Sequence, residues 1–186
     1  DGEFMNPRGV AVAPDSSVYV SDSSDNRIQK FTSDGVFVSE WGTRGSGDGE
    51  FNGPRGVAVA FDGSVYVADS SNYRIQKFTS DGVFITKWGT FGWGDGEFRR
   101  GWGVAVASDG SVYVADIDNH RIQKFTSDGV FITKWGTEGN GDGEFMNPRG
   151  VAVAPDSSVY VADSSNHRIQ KFTSDGVFIT KWGTEG

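Results

Sequence analysis

The chain has 186 residues, a formal net charge of −8, 27 glycines and no cysteine. Disulfide bonds are therefore excluded, and no apolar run approaches the roughly 18 residues that a membrane-spanning helix needs. The acidic charge is spread over the chain without a basic segment, whereas nucleic acids and anionic membranes are bound largely through lysine and arginine. We therefore expect neither a nucleic acid nor a membrane as a partner.

The tetrapeptide Asp-Gly-Glu-Phe divides the chain into four copies of one unit. It begins at Asp1, Asp48, Asp95 and Asp142, without insertions or deletions, so the repeat is 47 residues long. A unit of this size buries too little surface to be stable alone, and such a period indicates an array of stacked neighbours. The near-identity of the copies is typical of recent amplification and equally of design from one consensus unit. We predict a single array with units 1–47, 48–94, 95–141 and 142–186.

Each unit contains four short runs that are rich in β-branched and aromatic residues and lack a helical period. In the fourth copy they cover 150–154, 159–162, 168–173 and 177–182. An Asp-Gly pair between the third and fourth runs supplies the positive φ values of a tight hairpin. The first run, Val-Ala-Val-Ala, is small enough for an innermost strand beside a crowded axis. The pattern predicts an all-β fold, a β-propeller of four-stranded antiparallel blades with four blades per chain.

The order of the motifs resembles the NHL repeat. Pro-Arg-Gly-Val-Ala-Val, Val-Tyr-Val-Ala-Asp, Asn-His-Arg-Ile-Gln-Lys-Phe and Asp-Gly-Val-Phe follow one another in the fourth copy, and every copy keeps this order. The resemblance covers the whole chain and implies NHL blades, which usually occur in six-bladed propellers. Four blades shaped for six would leave a gap and expose apolar blade faces, which favours self-association. The alternatives are that the four blades close as a monomer, or that the chain is a segment of a longer array.

Every unit also places an aspartate at the end of its second run and an arginine five residues later. A bidentate contact between the two would hold the loop that separates them. Because the pair occurs in all four units, we interpret it as a structural clamp rather than as a catalytic group. We expect Asp163→Asn to lower thermal stability. The pairs are Asp22/Arg27, Asp69/Arg74, Asp116/Arg121 and Asp163/Arg168.

The strongest departure from the repeat lies where the second unit meets the third. Phe-Gly-Trp replaces Glu-Gly-Asn at 91–93, Arg-Arg-Gly-Trp replaces Met-Asn-Pro-Arg at 99–102, and a tyrosine stands where the third and fourth copies have histidine. Tryptophan, tyrosine and arginine are enriched in binding hot spots. Drift after duplication, or packing between chains, is the alternative explanation. The predicted binding residues are Tyr73, Phe91, Trp93, Arg99, Arg100 and Trp102.

The chain offers little for catalysis. His120 and His167, at equivalent positions of adjacent units, are its only histidines, and no nucleophile motif or phosphate-binding glycine motif occurs. We therefore expect no catalytic residues, no metal site and no cofactor. A zinc site formed by the two histidines and a nearby aspartate is an alternative to their simple exposure in loops.

These observations favour a non-catalytic propeller that acts as a self-assembling scaffold or a protein-interaction module and binds through its top-face loops. Its partner would be itself, for example in an eight-bladed dimer, or another protein. The NHL resemblance leaves two alternatives. One is a metal-dependent lyase or lactonase-like propeller enzyme. The other is a propeller that binds single-stranded RNA through the segment at 99–102.

Overall fold

The computed structural model describes residues 2–184, except for the side chain of Trp102. Four antiparallel sheets of four strands are arranged around an axis as the blades of a four-bladed β-propeller, and the strands of each sheet follow chain order. The predicted all-β propeller is thus confirmed. The strands are β1 Pro7–Val12, β2 Val18–Asp22, β3 Arg27–Phe31 and β4 Phe37–Trp41 in blade 1; β5 Pro54–Val59, β6 Val65–Asp69, β7 Arg74–Phe78 and β8 Phe84–Trp88 in blade 2; β9 Gly101–Val106, β10 Val112–Asp116, β11 Arg121–Phe125 and β12 Phe131–Trp135 in blade 3; and β13 Pro148–Val153, β14 Val159–Asp163, β15 Arg168–Phe172 and β16 Phe178–Trp182 in blade 4.

The Asp-Gly hairpins shorten the two outer strands by one residue each relative to the predicted runs. In blade 4 the Thr173 amide donates to Val177 O at 2.9 Å, and the Gly176 amide donates back to Thr173 O at 3.1 Å. Gly176 has φ of +88°, a conformation that costs glycine little. These turn bonds satisfy the backbone of 173–177, so β15 ends at Phe172 and β16 begins at Phe178.

The loop between the second and third strands holds a feature that the sequence pattern did not predict. In blades 2 to 4 it forms a single 3₁₀ turn, as at Ser70–Asn72, and the residue after the turn adopts a left-handed conformation. The φ values are +55° at Tyr73, +52° at His120 and +53° at His167. Such values are uncommon for residues other than glycine, although asparagine, aspartate and histidine adopt them more often than the rest. Each loop thereby presents a large side chain at a defined position.

The apolar core lies between the blades rather than within them. At the junction of blades 2 and 3, buried Tyr66 and Ile75 from blade 2 pack with Phe98, Val114 and Phe125 from blade 3. Equivalent clusters occupy the junctions of blades 1 with 2 and 3 with 4. Blades 2 and 3 therefore each contribute to two different cores and the end blades to one, which explains why a single unit cannot bury its apolar surface alone.

Glycine in the innermost strand allows neighbouring blades to approach closely. A Cβ atom added at Gly103 would lie 2.6 Å from Arg149 O of blade 4, far inside normal contact. The small side chains expected for the innermost strand are thus required by backbone contact between blades.

Three polar and aromatic contacts recur at each junction between consecutive blades. A tyrosine hydroxyl donates to a serine carbonyl in the hairpin of the next blade, as from Tyr66 to Ser127 O at 3.1 Å. A lysine reaches the aspartate of the same hairpin, with 3.3 Å between Lys77 Nζ and Asp128 Oδ1. A tryptophan ring covers the hairpin glycine, so that a Cβ added at Gly82 would lie 2.5 Å from Trp41.

Candidate functional site

The predicted clamps join each blade to the connector that precedes it. In blade 2, Arg74 Nε donates to Asp69 Oδ2 at 2.8 Å, which is a single hydrogen bond rather than the expected bidentate contact. The Nη atoms of Arg74 donate to the carbonyls of Ser46, Gly47 and Glu50 at 2.7 to 2.8 Å. Both side chains of the pair are buried, so the contact is a desolvated ion pair that holds the incoming chain against the loop. The contribution of the clamps to stability stays a prediction.

Blades 3 and 4 repeat this arrangement, with 2.9 Å between Arg121 Nε and Asp116 Oδ2 and 2.7 Å between Arg168 Nε and Asp163 Oδ2. Burial raises the pKa of the Asp69 and Asp116 carboxyls above the ordinary value, although hydrogen bonds from backbone amides, asparagine and arginine act in the opposite direction. The raised pKa reflects the cost of keeping a charged carboxylate away from water.

Blade 1 departs from the pattern. Arg27 Nη2 lies 3.8 Å from Asp22 Oδ2, beyond hydrogen-bond distance. Its Nη1 instead donates to Glu40 Oε2 at 2.7 Å. Glu40 stands where the other copies have lysine, so a second carboxylate competes for the guanidinium. Asp22 still accepts the Asn6 amide at 2.9 Å.

The structure brings five of the six predicted binding residues together on one surface between blades 2 and 3. The ring centroids of Tyr73 and Phe91 are 5.0 Å apart, and those of Phe91 and Trp93 are 5.5 Å apart. Arg99 Cζ lies 5.4 Å from the Trp93 ring centroid, a distance at which cation and ring attract. The backbone of Trp102 lies in β9, and its side chain lies outside the described part of the chain.

A cavity of about 320 Å³ opens beside this surface. Tyr73, Phe91, Arg99 and Arg100 line it, together with residues that the sequence pattern did not single out: Arg55, Ser70, Ser71 and Asp118. Arg100 Nη2 lies 3.6 Å from Asp118 Oδ2. Of these residues, Asp118 could have been noticed in the sequence, because it is charged where the other copies have serine. We name this site, formed by Arg55, Tyr73, Phe91, Arg99, Arg100 and Asp118, the arginine cavity.

Further arginines lie near the propeller axis. Gly56, Gly103 and Gly150 of the inner strands line a central opening of about 320 Å³, with Arg8 and Arg149 at its wall. Burial lowers the pKa of Arg55, and the charges of Arg8, Arg100 and Arg149 lower it further. Positive charge is therefore concentrated around the axis and the arginine cavity of an otherwise acidic protein.

The two histidines do not form a common site. The Asn147 amide donates to His120 Nδ1 at 3.3 Å, and His167 is exposed on the next blade. Within residues 2–184, no group of three or more histidine, cysteine, aspartate or glutamate side chains is placed to hold a metal ion. Over the same residues, no helix is long and apolar enough to cross a membrane.

The two end blades each expose a face that is buried at the inner junctions. We call the face that a blade turns to its successor the forward face, and the opposite one the backward face. Trp182 on the forward face of blade 4 is 49% exposed, beside a groove of about 230 Å³ that includes Tyr160 and Ile169. On the backward face of blade 1, Val10 is 68% exposed, whereas the equivalent Val57 is only 6% exposed.

A second groove, of about 300 Å³, lies on the backward face of blade 1 and is lined by Phe4, Val20 and Phe31. Phe4 is half-exposed, whereas its equivalents Phe51 and Phe98 are fully buried. The forward face of blade 4 and the backward face of blade 1 thus carry the two halves of a core like those inside the array.

Comparison with known proteins identifies the class to which these blades belong. Four segments, residues 4–31, 51–78, 98–125 and 145–172, match the NHL repeat. Together they span more than half of the 186 residues. The chain therefore belongs to the NHL repeat family, as its motifs indicated. No curated protein matches the chain.

Solved structures share the propeller fold at low sequence identity. A streptogramin B lyase is 17% identical with a TM-score of 0.72, over 97% of this chain and 55% of its own. The virginiamycin B lyase from Staphylococcus aureus is 18% identical with a TM-score of 0.74, over 97% and 56%. The WD40 repeats of RRP9 are 12% identical with a TM-score of 0.76, over 96% and 52%. The chain thus spans about half the length of these propellers.

Proposed function

We propose that the protein is a non-catalytic propeller scaffold that assembles with a second copy of itself through its end faces. One observation carries this proposal: the forward face of blade 4 and the backward face of blade 1 are exposed, and they consist of the residue types that pack together at the three inner junctions. A second copy supplies the complementary half-core for each face.

The pairing can be specified from the repeat. At the inner junctions Trp41 covers Gly82, and the ring of Phe51 packs against Gly42. In blade 1 a Cβ added at Gly35, the equivalent of Gly82, would meet no described atom within 4 Å. We expect Trp182 of one copy to cover Gly35 of the other. We also expect Phe4 to pack against Gly183, which takes the position of Gly42.

The polar contacts follow the same correspondence. The hydroxyls of Tyr19 and Tyr113 donate to Ser80 O and Ser174 O at 3.0 and 3.1 Å. Tyr160 would donate to Ser33 O of the other copy. Lys171, which lies 4.0 Å from Asp156 of its own blade, would reach Asp34. The interface would therefore combine buried apolar area with directional bonds that set its register.

Two copies are the expected number. Four blades match about half of larger single-chain propellers, which supports an arrangement in which two chains complete one ring of eight blades. A forward-to-backward contact is heterologous, and such contacts either close into a ring or continue as an open filament. Closure with two copies satisfies both exposed faces of each chain.

The molar mass measured by light scattering coupled to size-exclusion chromatography tests the proposal. The 186-residue chain should have twice its 20.1 kDa mass. Trp182→Ala should give the monomer mass, because the forward face loses its main apolar contact. Trp93→Ala removes a tryptophan that is 63% exposed but lies on neither end face, and it should leave the mass of the assembly unchanged.

A mixing experiment separates end-face assembly from other association. Val12 lies on the backward face of blade 1, because it is exposed whereas its equivalent Val59 packs against the core between blades 1 and 2. Val12→Lys places a charge there, so this variant should also be monomeric. It keeps an intact forward face, whereas Trp182→Ala keeps an intact backward face, so the mixture should form a heterodimer through one junction. Monomeric wild-type protein, or dimers that persist in both single variants, would contradict the proposal. A mass above two chains would contradict closure as a dimer.

A further inference from the structure

The arginine cavity concentrates positive charge where the rest of the protein is acidic. Three arginines and one aspartate line it, within a chain whose formal net charge is −8. The Asp118 carboxylate lies beside Arg100 at 3.6 Å, so arginines outnumber carboxylates among the described lining residues. Arg8 and Arg149 at the axis add to the potential at Arg55. Such a site attracts an anion.

An aromatic wall completes the cavity. Tyr73 and Phe91 stand at its side with their rings at 69° to each other, and Phe91 is 54% exposed. The left-handed backbone of Tyr73, with φ of +55°, directs the tyrosine toward the connector that carries Phe91. Arg99 is held over the Trp93 ring, which restricts the freedom of the guanidinium before any ligand arrives.

This combination is specific to the junction of blades 2 and 3. At the junction of blades 3 and 4, the positions of Phe91, Arg99 and Arg100 are taken by Glu138, Met146 and Asn147. At the junction of blades 1 and 2, the two arginine positions hold an asparagine and a glycine. The repeat thus builds the same loops three times, and one of them carries this set of charges and rings.

We propose that the arginine cavity binds a small organic anion that carries an aromatic ring, of the aryl phosphate or aryl carboxylate class. The planar guanidinium pairs with phosphate or carboxylate through two parallel hydrogen bonds, and the ligand ring packs against Tyr73 and Phe91. A volume of about 320 Å³ lies in the range of small-molecule sites. The cavity lies away from both end faces, so this site goes beyond the proposed assembly.

The repeat itself supplies matched variants. Arg99→Met/Arg100→Asn copies Met146 and Asn147, and Phe91→Glu copies Glu138, so each introduces residues that another blade of the same chain already accommodates. Lys87→Gln/Lys181→Gln removes the same two positive charges from outer strands and serves as the control for net charge. Circular dichroism melting verifies that every variant is folded.

Isothermal titration of the full chain with phenyl phosphate and with benzoate measures the site. We expect one ligand per chain with Kd below about 1 mM for at least one of the two, and the tighter one identifies the anionic group. Arg99→Met/Arg100→Asn should weaken binding at least tenfold, because charge-assisted bonds are lost. Phe91→Glu should weaken it at least as much, and the lysine control should change it less than twofold.

Several results would overturn the proposal. One is the absence of binding by the wild-type chain up to about 10 mM ligand, since a dissociation constant above that concentration means very weak binding. Another is an equal loss in the lysine control, which would show that net charge alone is responsible. Inorganic phosphate binding as tightly as phenyl phosphate would remove the role of the ring. Tighter binding of a mixed-sequence single-stranded RNA than of either small anion would favour a nucleic-acid surface instead.

Discussion

The inner junctions and the two end faces are built from equivalent residues of the repeat, but the surroundings of these residues differ. Tyr66 is fully buried and its hydroxyl donates to the next blade, whereas Tyr160, its equivalent in blade 4, is partly exposed. Trp88 packs into the core between blades 2 and 3, whereas Trp182 is half-exposed. Burial in this array is therefore a property of the neighbouring blade and not of the residue, as expected when repeats contact only their neighbours.

The largest expected effect compares the two tryptophans. Trp88→Ala should lower the free energy of unfolding by about 3 kcal/mol, because it removes a large apolar group from an inner junction. Trp182→Ala should lower it by less than about 1 kcal/mol in the monomer, since its ring packs on one side alone. Urea denaturation in the Val12→Lys background, which prevents assembly, measures both. Equal losses would show that the end face is as well packed as the inner junctions.

The next effect compares two clamps. Asp116→Asn should cost about 2 kcal/mol, because the hydrogen bond from the buried Arg121 loses its charged acceptor. Asp22→Asn should cost about 1 kcal/mol, since Arg27 keeps its contact with Glu40 at 2.7 Å. Asp163→Asn should resemble Asp116→Asn, because Arg168 makes the same set of bonds. Thermal melting monitored by circular dichroism tests the order, and a larger loss for Asp22→Asn would contradict it.

A smaller effect isolates the tyrosine hydroxyl. Tyr66→Phe should destabilise the monomer by about 1 kcal/mol, because the Ser127 carbonyl loses its donor while the ring is retained. Tyr160→Phe should leave the monomer unchanged within error and weaken the dimer instead. Chemical denaturation provides the first comparison, and the dissociation constant from sedimentation equilibrium provides the second. If Tyr160→Phe left dimer affinity intact, the predicted bond to Ser33 O would be wrong.

The smallest effect concerns the lysine at the inner junction. Burial lowers the pKa of Lys77, but its contacts with Tyr66 and Asp128 outweigh burial, so the pKa is raised above 10.5. The stabilisation is therefore fully present below the ordinary lysine pKa and is lost as the pH rises through the higher folded value. Because Asp128 is largely exposed, Asp128→Asn should cost well under 1 kcal/mol at pH 8.

Denaturation at pH 8 and above pH 11 tests this dependence. The wild-type and Asp128→Asn stabilities should converge at the higher pH, when Lys77 has lost its proton. Asp34→Asn, at the equivalent position on the open backward face, serves as the control and should match its parent at both pH values when assembly is blocked. A constant difference across the range would rule out the ion pair as its source.

Much of the blade could be predicted because its determinants are local. The Asp-Gly pairs specify hairpins through the φ of residues such as Gly176, and the β-branched runs specify the strands. The Asp/Arg spacing anticipated the contact between Asp69 and Arg74, since a short loop joins their strands. This spacing does not predict the weaker pair in blade 1, because the competing Glu40 lies thirteen positions beyond Arg27 and reaches it through strand pairing.

The candidate site was predictable only in part. Comparing the copies located Tyr73, Phe91, Trp93, Arg99 and Arg100, because each departs from its equivalents. Arg55, in contrast, has arginine equivalents in two other blades, so nothing in the pattern distinguishes it. It joins the cavity because the loops of blade 3 are brought over the inner strand of blade 2, a contact between distant segments.

The amino-acid sequence is sufficient to specify the NHL blade, its strand order and the number of blades, because turns, strand pairing within a blade and clamps depend on neighbours within one repeat. It does not specify which blades have their forward and backward faces buried, because these faces are nearly identical in all four repeats. That distinction arises from the tertiary arrangement, in which each core is shared by two blades and every face needs a partner. Phe51 is buried and Phe4 is half-exposed for this reason alone, although both close the same Asp-Gly-Glu-Phe motif.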